Sequence, residues 1–378
     1  MKTCVVLLVS NQTVPNIAFL KWCIKRHENI DLLFVSTSKM EEIKQSDKIW
    51  DSLGDNCKHF GKKNVVLVDQ DNPADIQRTI SEAINFSAYT SIIVNITGGT
   101  KLMSLASYQL FVKLCNSRIY YIPINNFSLL ELYPEQKNCD NLEPLSLNEY
   151  ISAFGFEFSY SNKCEKNWEY NKNVLTKIES CKEGRNQFFE IQNEKHFKRK
   201  LEEKGFLDLS RLNPEYLAKL SPKISFEVIA KTAELFGFDP SHISKNQIRY
   251  ITGGWFEEFV FQKIMNEKKL DPNKNIALNI WLKSKNETPN EYDVMYIDEK
   301  NTIHIIECKS FIDQKTQAEL LNNTIYKVQA LKSNFGLTVV SHLYTMSIID
   351  KDSVLRRSKD FKIEIEDGTK LCTEHFVF

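Results

Sequence analysis

The sequence lacks an excess of charge, a membrane-spanning segment and a signal peptide, each of which would indicate a class of function. Its 49 basic and 49 acidic side chains leave no net charge over 378 residues, whereas a protein that coats nucleic acid by charge alone is usually basic. This balance still permits a nuclease with a local basic cleft. No window approaches the roughly 18 apolar residues of a membrane span. The first apolar run, Cys4 to Val9, stops without the small-residue cleavage site of a signal peptide.

Cysteine and glycine patterns exclude further classes of site. The nine Cys residues include no CxxC pair, which fits a reducing cytosol better than a disulfide framework or a zinc site. We therefore expect a cytoplasmic protein with no membrane partner. The Walker A patterns GxxxxGKS and GxxxxGKT are absent, and so is GxGxxG after the first apolar run. A standard P-loop or dinucleotide site is not expected.

Residues 1–134 alternate regularly between strand-like and helix-like segments. The run CVVLLVS at 4–10 is continuously apolar, which is typical of a strand covered on both faces. Such alternation predicts parallel strands with right-handed crossovers, and hence a Rossmann-like α/β domain. The predicted strands are 4–10, 31–37, 64–70, 91–97 and 118–124, with 128–134 as a trailing edge strand. The predicted helices are 15–27, 39–53, 73–86 and 100–115.

The remaining residues divide into a middle region and a second α/β domain. Residues 135–250 are predicted to be a connector and helical region of short pieces, broken by Pro214, Pro222 and Pro240. A small helical or winged-helix module and a plain spacer both fit this pattern. From 251 to 378 the sequence predicts a helix after Gly253-Gly254, followed by further elements. These are a strand at 275–283, a hairpin at 290–309, a helix at 314–332 and a strand at 336–343.

Two polar loops follow predicted strand ends in the first domain. In an open parallel sheet, ligands bind beyond the carboxyl ends of the strands, where helix N-termini offer free N–H groups to anions. Gly98 and Gly99 permit close approach of the backbone, and Lys101 adds a positive charge. This predicts a phosphate or nucleotide pocket, although a plain strand–helix turn with a solvated lysine fits the same pattern. The candidate ligand-binding residues are Ser10, Asn11, Gln12, Thr13, Thr97, Gly98, Gly99, Thr100 and Lys101.

These loops, SNQT and NITGGTKLMS, resemble those of the CRISPR-associated Rossmann-fold (CARF) domain family. The more specific feature is TGGTK-x-M, matched by Thr97 to Lys101 and Met103. The resemblance implies a homodimer, formed through the N-terminal domain, that binds a cyclic oligoadenylate across its two-fold axis. An isologous interface suits such a ring-shaped, symmetric ligand. Cyclic tetra-adenylate is the first choice of activator and cyclic hexa-adenylate the second.

The stretch IHIIECKSF, residues 303–311, ends an apolar strand with two opposite charges. Residues two apart in a strand share a face, so Glu307 and Lys309 should stand side by side, with Cys308 on the other face. If a three-residue loop closes around Lys300, Asp293 falls opposite Glu307, close enough for both carboxylates to bind one divalent cation. A loop one residue shorter would turn Asp293 to the far face. An incidental surface ion pair is the simpler interpretation of the same residues.

A third carboxylate is expected from the preceding helix, in the segment GGWFEEFVFQKI. Glu257 has Val260, Phe261 and Ile264 at helical spacing, so it lies on an apolar face. A carboxylate there is costly unless it has a partner such as a metal site. Glu258 has Gln262 one turn on and is predicted to be solvated. We therefore select Glu257 as the further candidate.

The pattern Asp…Glu-x-Lys, on a hairpin followed by a helix, resembles the PD-(D/E)xK restriction-endonuclease-like family. Cys308 takes the variable position, and Tyr292 stands where the family pattern has proline. A cation bound by carboxylates polarises the phosphoryl oxygen of a substrate and lowers the pKa of water. Lys309 can orient the attacking water or stabilise developing charge. The site is thus predicted to use Mn²⁺ or Mg²⁺, with Asp293, Glu307 and Glu257 as metal ligands and catalytic residues, and Lys309 as a fourth catalytic residue.

Together the two resemblances predict the architecture of the ancillary effectors of type III CRISPR systems, which are prokaryotic. The predicted fold is α/β, with a Rossmann-like domain at 1–134, a helical linker region at 135–250 and a restriction-endonuclease-like domain at 251–378. The predicted function is an endonuclease, activated allosterically by cyclic oligoadenylate, that cleaves single-stranded DNA or RNA or nicks duplex DNA in antiviral defence. Two alternatives stay open: a ligand-sensing, nucleic-acid-binding regulator without cleavage activity, and a restriction-type endonuclease that needs no activator.

Overall fold

The computed structural model describes residues 2–123, 127–211, 215, 224–283, 289–311, 317–332, 335, 339–350 and 352–373. Parts of the predicted elements lie outside the described residues: Ile124, Pro214, Pro222, 314–316 and 336–338. Among the helices in the described ranges, none is long and apolar enough to cross a membrane.

The N-terminal sheet contains β1 (Thr3–Leu8), β2 (Ile30–Ser36), β3 (Phe60–Leu67), β4 (Ser91–Asn95), β5 (Ser117–Tyr121), β6 (Ser128–Tyr133) and β7 (Lys137–Asn141). Their order across the sheet is β3-β2-β1-β4-β5-β6-β7. The first five are parallel, and β6 and β7 are antiparallel to their neighbours. Every position of β1 and β2 is buried. The Rossmann-like parallel sheet is therefore confirmed. The strand predicted at 128–134 is also present, as β6, but it is not the edge strand because β7 pairs with it on the outer side.

The helices of this domain are α1 (Val14–Ile24), α2 (Ser38–Glu42), α3 (Gln45–Ser52), α4 (Pro73–Ala83) and α5 (Lys101–Phe111). The single helix predicted at 39–53 is two helices, because Lys44 adopts a left-handed backbone conformation with a φ of 54° between them. The strand β7 lies in residues that we predicted as connector, and it extends the N-terminal sheet by one strand.

The middle region contains α6 (Leu147–Ala153), β8 (Glu157–Ser159), α7 (Trp168–Asn193), α8 (Lys195–Lys204), β9 (Phe206–Leu207), α9 (Phe226–Leu235), β10 (Ile243–Ser244) and α10 (Lys245–Arg249). The prediction of only short helical pieces is wrong for α7, which has 26 residues. Its charged outer face obscures an apolar stripe in the sequence. The buried members of that stripe include Val174, Leu175, Ile178, Cys181, Phe188 and Ile191.

The C-terminal domain contains α11 (Trp255–Lys268), β11 (Ile276–Lys283), β12 (Asn290–Ile297), β13 (Ile303–Lys309), α12 (Gln317–Lys332), β14 (Val339–Thr345), α13 (Asp352–Asp360), β15 (Ile363–Glu366) and α14 (Gly368–Thr373). Its sheet has the order β15-β14-β13-β12-β11-β8. The strands β8, β11, β12 and β13 pair antiparallel, and β13, β14 and β15 pair parallel. The predicted α/β domain with its central hairpin is confirmed.

One hydrophobic core joins the two sheets. It contains Val5 and Leu7 of β1, Ile303 and Ile305 of β13, and residues of α6 between them. Within it, the Tyr150 hydroxyl donates to the backbone oxygen of Phe335 at 3.2 Å. The N-terminal domain therefore packs against the face of the second sheet that carries the Ile303 and Ile305 side chains, with α6 between the two sheets.

Candidate functional site

The N-terminal candidate site consists of two loops that leave adjacent parallel strands. Because β1 and β4 pair in parallel, the loops that follow them begin side by side at the carboxyl edge of the sheet. Asn16 Nδ2 in α1 donates to the backbone oxygen of Leu8 at 2.9 Å, and Asn95 Nδ2 donates to Asn16 Oδ1 at 2.9 Å. These buried amides fix the position of one loop relative to the other.

The second loop leads directly into the N-terminus of α5. Thr97 Oγ1 donates to Asn95 Oδ1 at 2.6 Å and accepts from the backbone N–H of Ile122 at 2.8 Å. Thr100 is the N-cap residue of α5, and its side chain accepts from the backbone N–H of Met103. The Thr100 side chain caps one N–H group of the first turn of α5, and this turn, with Lys101, borders the predicted ligand site.

The nine predicted ligand-binding residues differ in exposure. Asn11 and Lys101 are exposed, whereas Thr13 and Gly98 are buried. A Cβ atom on Gly98 would lie 2.0 Å from the backbone oxygen of Leu8, so packing against β1 alone requires glycine there. The other five are partly exposed: Ser10, Gln12, Thr97, Gly99 and Thr100. Gly99 has a φ of +73°, a backbone conformation that favours glycine. The loops thus present Asn11 and Lys101 to solvent and hold Thr13 and Gly98 behind them.

The β12–β13 hairpin has the register that the sequence predicted. Ile297 pairs with Ile303 and Val294 with Ile306, which places Asp293 opposite Glu307 one position further on. The backbone N–H of Asp298 donates to the Thr302 oxygen, and that of Asn301 to the Asp298 oxygen, both at 3.1 Å. Asn301 takes a left-handed conformation with a φ of 57°. This is the three-residue hairpin loop with one left-handed residue at its end.

Asp293, Glu307 and Lys309 lie together at the open end of this hairpin. Lys309 Nζ donates to Glu307 Oε1 at 2.7 Å, and the backbone N–H of Cys308 donates to Asp293 Oδ2 at 2.6 Å. Burial lowers the pKa of Lys309, but the carboxylates of Glu307 and Asp293 outweigh this effect, so that the pKa is raised. Lys309 is therefore held as a cation between two carboxylates. Cys308 packs in the core that also contains residues of α11, but it borders the same cleft as Glu257 and Lys309, so it is not separated from them as predicted.

Asp293 lies where β12 departs from regular alternation. Tyr292 and Val294 are two residues apart, so they should share a face, yet they pack in different hydrophobic cores. Leu278 and Ile280 of β11 are divided in the same way, with Asn279 between them at a φ of 53°. The backbone thus rotates at Asn279 and Asp293. This rotation turns the Asp293 carboxylate towards the amide of β13 instead of leaving it on one face.

Glu257 faces the same cluster from α11. A π-helical turn, Tyr250–Gly254, leads into α11, and such turns are frequent at functional sites. Burial, and next the negative charge of Asp293, raise the pKa of Glu257 to about 8. The structure therefore brings all four predicted catalytic residues into one electrostatic cluster.

Glu258 is the residue whose predicted environment was wrong. It is buried, and its carboxylate accepts from the backbone N–H of Glu165 at 2.6 Å and that of Lys166 at 3.2 Å. The Tyr250 hydroxyl donates to it as well, at 3.1 Å. The loop before α7 covers Glu258, which no local pattern in α11 could reveal. Burial raises its pKa, although these hydrogen bonds oppose the shift. Its role is to tie the middle region to α11.

The cluster opens into a cleft of about 720 Å³. Glu257, Lys309 and Glu291 line it, and so do residues that the sequence did not single out. Glu291 is two residues before Asp293 on β12, and that spacing was the only signal for it. The other lining residues relevant to a substrate are Lys163, Phe189, Arg249, Trp281 and Phe311. Trp281 and Phe189 are 46% and 41% exposed, so both rings present part of their surface to the cleft.

The carboxylates suit a hard divalent cation by chemistry, because Mn²⁺ and Mg²⁺ prefer oxygen ligands. In the part of the chain that the structure describes, no group of three or more His, Cys, Asp or Glu side chains is arranged to hold a metal ion. Glu307 is paired with Lys309 and Asp293 with the Cys308 amide, so these side chains would have to turn to share a cation. The raised pKa of Glu257 shows that burial and Asp293 disfavour its carboxylate form, which a bound cation would stabilise.

The fold and the cluster define a class of protein: a Rossmann-like domain joined through a helical region to an α/β domain that carries Asp, Glu and Lys on a hairpin. Three family models match the chain in that order. They are the Card1 CARF domain at 4–150, the Card1 hinge domain at 161–245 and the Card1-like endonuclease domain at 244–373. The chain therefore belongs to the proteins that join a CARF domain to a Card1-like endonuclease domain.

Solved structures share this fold over nearly the whole chain. Can2 from Sulfobacillus thermosulfidooxidans, in complex with cyclic tetra-adenylate, is 20% identical with a TM-score of 0.69, covering 99% of this chain and 97% of that one. Protein VC1899 from Vibrio cholerae is 17% identical with a TM-score of 0.73, covering 99% and 96%. A type III CRISPR defence DNA nuclease activated by cyclic oligoadenylate is 14% identical with a TM-score of 0.56, covering 93% of this chain and 46% of that one. No curated protein sequence matches the chain.

Proposed function

We propose that this protein is a metal-dependent nuclease that a cyclic oligoadenylate switches on. The observation that carries the proposal is the presence, in one chain, of a CARF domain and an endonuclease domain whose hairpin brings Asp293, Glu307 and Lys309 together. The likeness to Can2, which was solved with cyclic tetra-adenylate, supports that ring as the activator. Cyclic hexa-adenylate is the second choice. The biological setting would be type III CRISPR antiviral defence.

The activator would bind at the carboxyl edge of the N-terminal sheet. Lys101 is exposed at the start of α5, where its charge and the free N–H groups of the first turn can bind a phosphate. Asn11 and Gln12 border the same edge from the first loop. A homodimer through this domain would present two such edges to one ring. The ligand must bind the active arrangement more tightly than the inactive one if it is to act as a switch.

In the endonuclease domain, Asp293, Glu307 and Glu257 would hold the Mn²⁺ or Mg²⁺. A cation bound there would supply polarisation of the scissile phosphate and a water of lowered pKa. Lys309, held as a cation beside Glu307, would orient the attacking water and stabilise the negative charge that develops on the phosphate. Burial and the charge of Asp293 raise the pKa of Glu257, so a cation held beside it would favour its carboxylate form.

The cleft favours single-stranded DNA or RNA as the substrate. Trp281 and Phe189 are exposed aromatic side chains that can stack on unpaired bases, at about 1–3 kcal/mol per base. Arg249 and Lys163 line the same cleft and can bind the phosphate backbone. Stacking is tolerant of sequence, so we propose cleavage with little sequence preference; nicking of duplex DNA would require local unpairing.

The test is a cleavage assay with labelled single-stranded and duplex DNA and RNA, with Mn²⁺, Mg²⁺ or EDTA, and with or without cyclic tetra-adenylate. We expect rapid cleavage of single strands only when both metal and activator are present. Equal rates without activator would contradict the switch and indicate a restriction-type endonuclease. Tight nucleic-acid binding without cleavage under any condition would indicate the non-enzymatic regulator instead.

A further inference from the structure

The turn of the β12–β13 hairpin is held by the segment that leaves the N-terminal domain. Asn301 in this turn is 1% exposed, which is low for a residue at a hairpin tip because such tips usually lie in solvent. Its Oδ1 accepts a hydrogen bond from the backbone N–H of Leu145 at 2.6 Å. One residue later, Ser146 begins α6 as its N-cap residue. A side chain in the hairpin turn is thus bonded directly to the start of α6.

The other side of α6 is bonded to α1. Lys21 Nζ donates to Glu149 Oε2 at 2.8 Å, and both side chains are largely buried, at 19% and 16% exposed. The same Glu149 oxygen accepts from the backbone N–H of Ser146 at 2.7 Å, within a capping box. The helix α1 begins at Val14, immediately after the predicted ligand loop, Ser10 to Thr13. A short series of contacts therefore runs from that loop through α1 and α6 to the hairpin turn.

Asn301 also sets the geometry of the catalytic hairpin. Its left-handed conformation closes the three-residue loop, and that loop fixes the register that places Asp293 opposite Glu307. A change in how Leu145 engages this turn would act on the spacing of the two carboxylates, since they are carried by the two strands that the turn joins. The residue therefore combines a role in hairpin register with a contact to the sensor side.

We propose that Asn301 is a positioning residue that couples the N-terminal ligand loops to the catalytic hairpin, through Leu145, Glu149 and Lys21. The inference rests on the proposed function, because it concerns regulation of the same site. When the activator moves α1, the Lys21–Glu149 ion pair carries α6 with it, and the Leu145–Asn301 hydrogen bond transmits this displacement to the turn. Neither Asn301 nor Lys21 contacts substrate, activator or metal in this scheme.

The test separates the hydrogen bond from the turn conformation. Asn301→Gly keeps a residue that adopts positive φ without strain, so the hairpin register is retained while the contact to Leu145 is lost. Asn301→Asp keeps both the left-handed preference and the acceptor. Asn29→Gly is a matched control, since Asn29 is an exposed asparagine with a φ of 52° outside this series of contacts.

The readouts are the cleavage rate with and without cyclic tetra-adenylate, the activator affinity and the melting temperature. For Asn301→Gly we expect a metal-dependent basal rate within about twofold of wild type but a ratio of activated to basal rate about tenfold lower, in the range typical of allosteric couplings. Asn301→Asp and Asn29→Gly should keep the wild-type ratio. A wild-type ratio in Asn301→Gly would overturn the proposal.

A second variant keeps the test independent of the hairpin. Lys21→Met removes the ion pair but keeps the length of the side chain, and it should lower the activation ratio to a similar extent. If both positions act on one series of contacts, the double variant Lys21→Met/Asn301→Gly should lose little more than either single variant. Fully additive losses would contradict a shared series. If the wild-type protein shows no activated cleavage at all, the proposed function fails and not this inference.

Discussion

The carboxylate of Asp293 accepts a hydrogen bond from the backbone N–H of Cys308, with 2.6 Å between Oδ2 and the nitrogen. In a regular antiparallel pair, that N–H would donate to a backbone carbonyl of β12. Asp293 thus takes the place of a main-chain acceptor at the point where β12 rotates. Glu307 and Lys309 flank Cys308, so this single bond locks the aspartate next to both predicted catalytic partners.

The first prediction concerns the charge of this aspartate. Asp293→Asn retains an oxygen that can accept from Cys308, so the hairpin should remain folded, but the substitution removes one of the carboxylates proposed to hold the cation. We expect cleavage of single-stranded substrate to fall by about a hundredfold or more, with an unchanged melting temperature. Glu307→Gln should behave similarly.

The control is Glu299→Gln, in the exposed turn of the same hairpin. Full activity in Asp293→Asn would remove the assigned site.

The second prediction concerns Lys101 at the start of α5. Its side chain is exposed, so Lys101→Ala should leave the free energy of unfolding within the range of ordinary surface substitutions, about 0.5 kcal/mol. Activator binding should weaken about tenfold or more, because a charge-assisted contact to phosphate is lost. Isothermal titration with cyclic tetra-adenylate measures this, and the salt dependence of binding should decrease.

Lys113→Ala provides the comparison for that experiment, because Lys113 is exposed just beyond the other end of α5. It should bind the activator as the wild type does. Equal weakening in both variants would indicate a general electrostatic effect instead of a site at Lys101.

The third prediction concerns Gly98, where lack of space and not backbone conformation requires glycine. Gly98→Ala would place Cβ 2.0 Å from the Leu8 oxygen, so the loop must move away from β1. We expect a loss of about 1–3 kcal/mol in the free energy of unfolding, together with weaker activator binding. Urea denaturation measures the first effect and titration the second.

Gly205→Ala makes a useful contrast, because Gly205 has a φ of +76° and no heavy atom within 4 Å of an added Cβ. It should cost about 1–2 kcal/mol through backbone strain alone, with no change in activator binding. If Gly98→Ala bound the activator as tightly as wild type, the loop at 97–101 would not form the ligand site.

The fourth prediction concerns a buried histidine pair behind the catalytic strands. His342 Nε2 lies 2.9 Å from His304 Nδ1, and the exposed Glu364 lies 3.2 Å from the other ring nitrogen of His342. Burial, followed by the charges of His304 and Lys268, lowers the pKa of His342 to about 3. The unfolded chain would bind a proton with a pKa of about 6.5. The contribution of this histidine to stability is therefore complete above pH 6.5 and is lost as the pH falls from there towards 3.

The measurement is the free energy of unfolding as a function of pH for wild type and His342→Gln. The variant should be less stable at pH 7.5, and its stability should fall less steeply between pH 6.5 and 4. Replacement of the exposed His59 by glutamine should leave the wild-type slope unchanged. Parallel curves for wild type and His342→Gln would contradict the depressed pKa.

Features that depend on residues close in sequence could be predicted, whereas features that depend on contacts between distant residues could not. The alternation of apolar strands with helices in the first 121 residues predicted a parallel sheet, because crossover topology follows from local patterns. The residues Asp298-Glu299-Lys300-Asn301 predicted a turn but left its length open, and the structure has the three-residue loop. That loop brought Asp293 opposite Glu307. Helical periodicity placed Glu257 on a buried face, whereas the structure leaves it partly exposed at the cleft and buries Glu258 instead.

Local patterns determined the parallel sheet, the presence of the hairpin and the shared face of Glu307 and Lys309, because each depends on residues close in sequence. Only the tertiary structure decided that Asp293 rotates towards the Cys308 amide, since that requires the kink at Asn279 on the neighbouring strand. It also decided that Glu258 is buried, because the loop at 165–166 that covers it is distant in sequence. The bond between Leu145 and Asn301 spans 156 positions, and no pattern in either segment indicates the other. Long-range packing, which the linear sequence does not display, placed the segment that leaves the N-terminal domain against the turn of the β12–β13 hairpin.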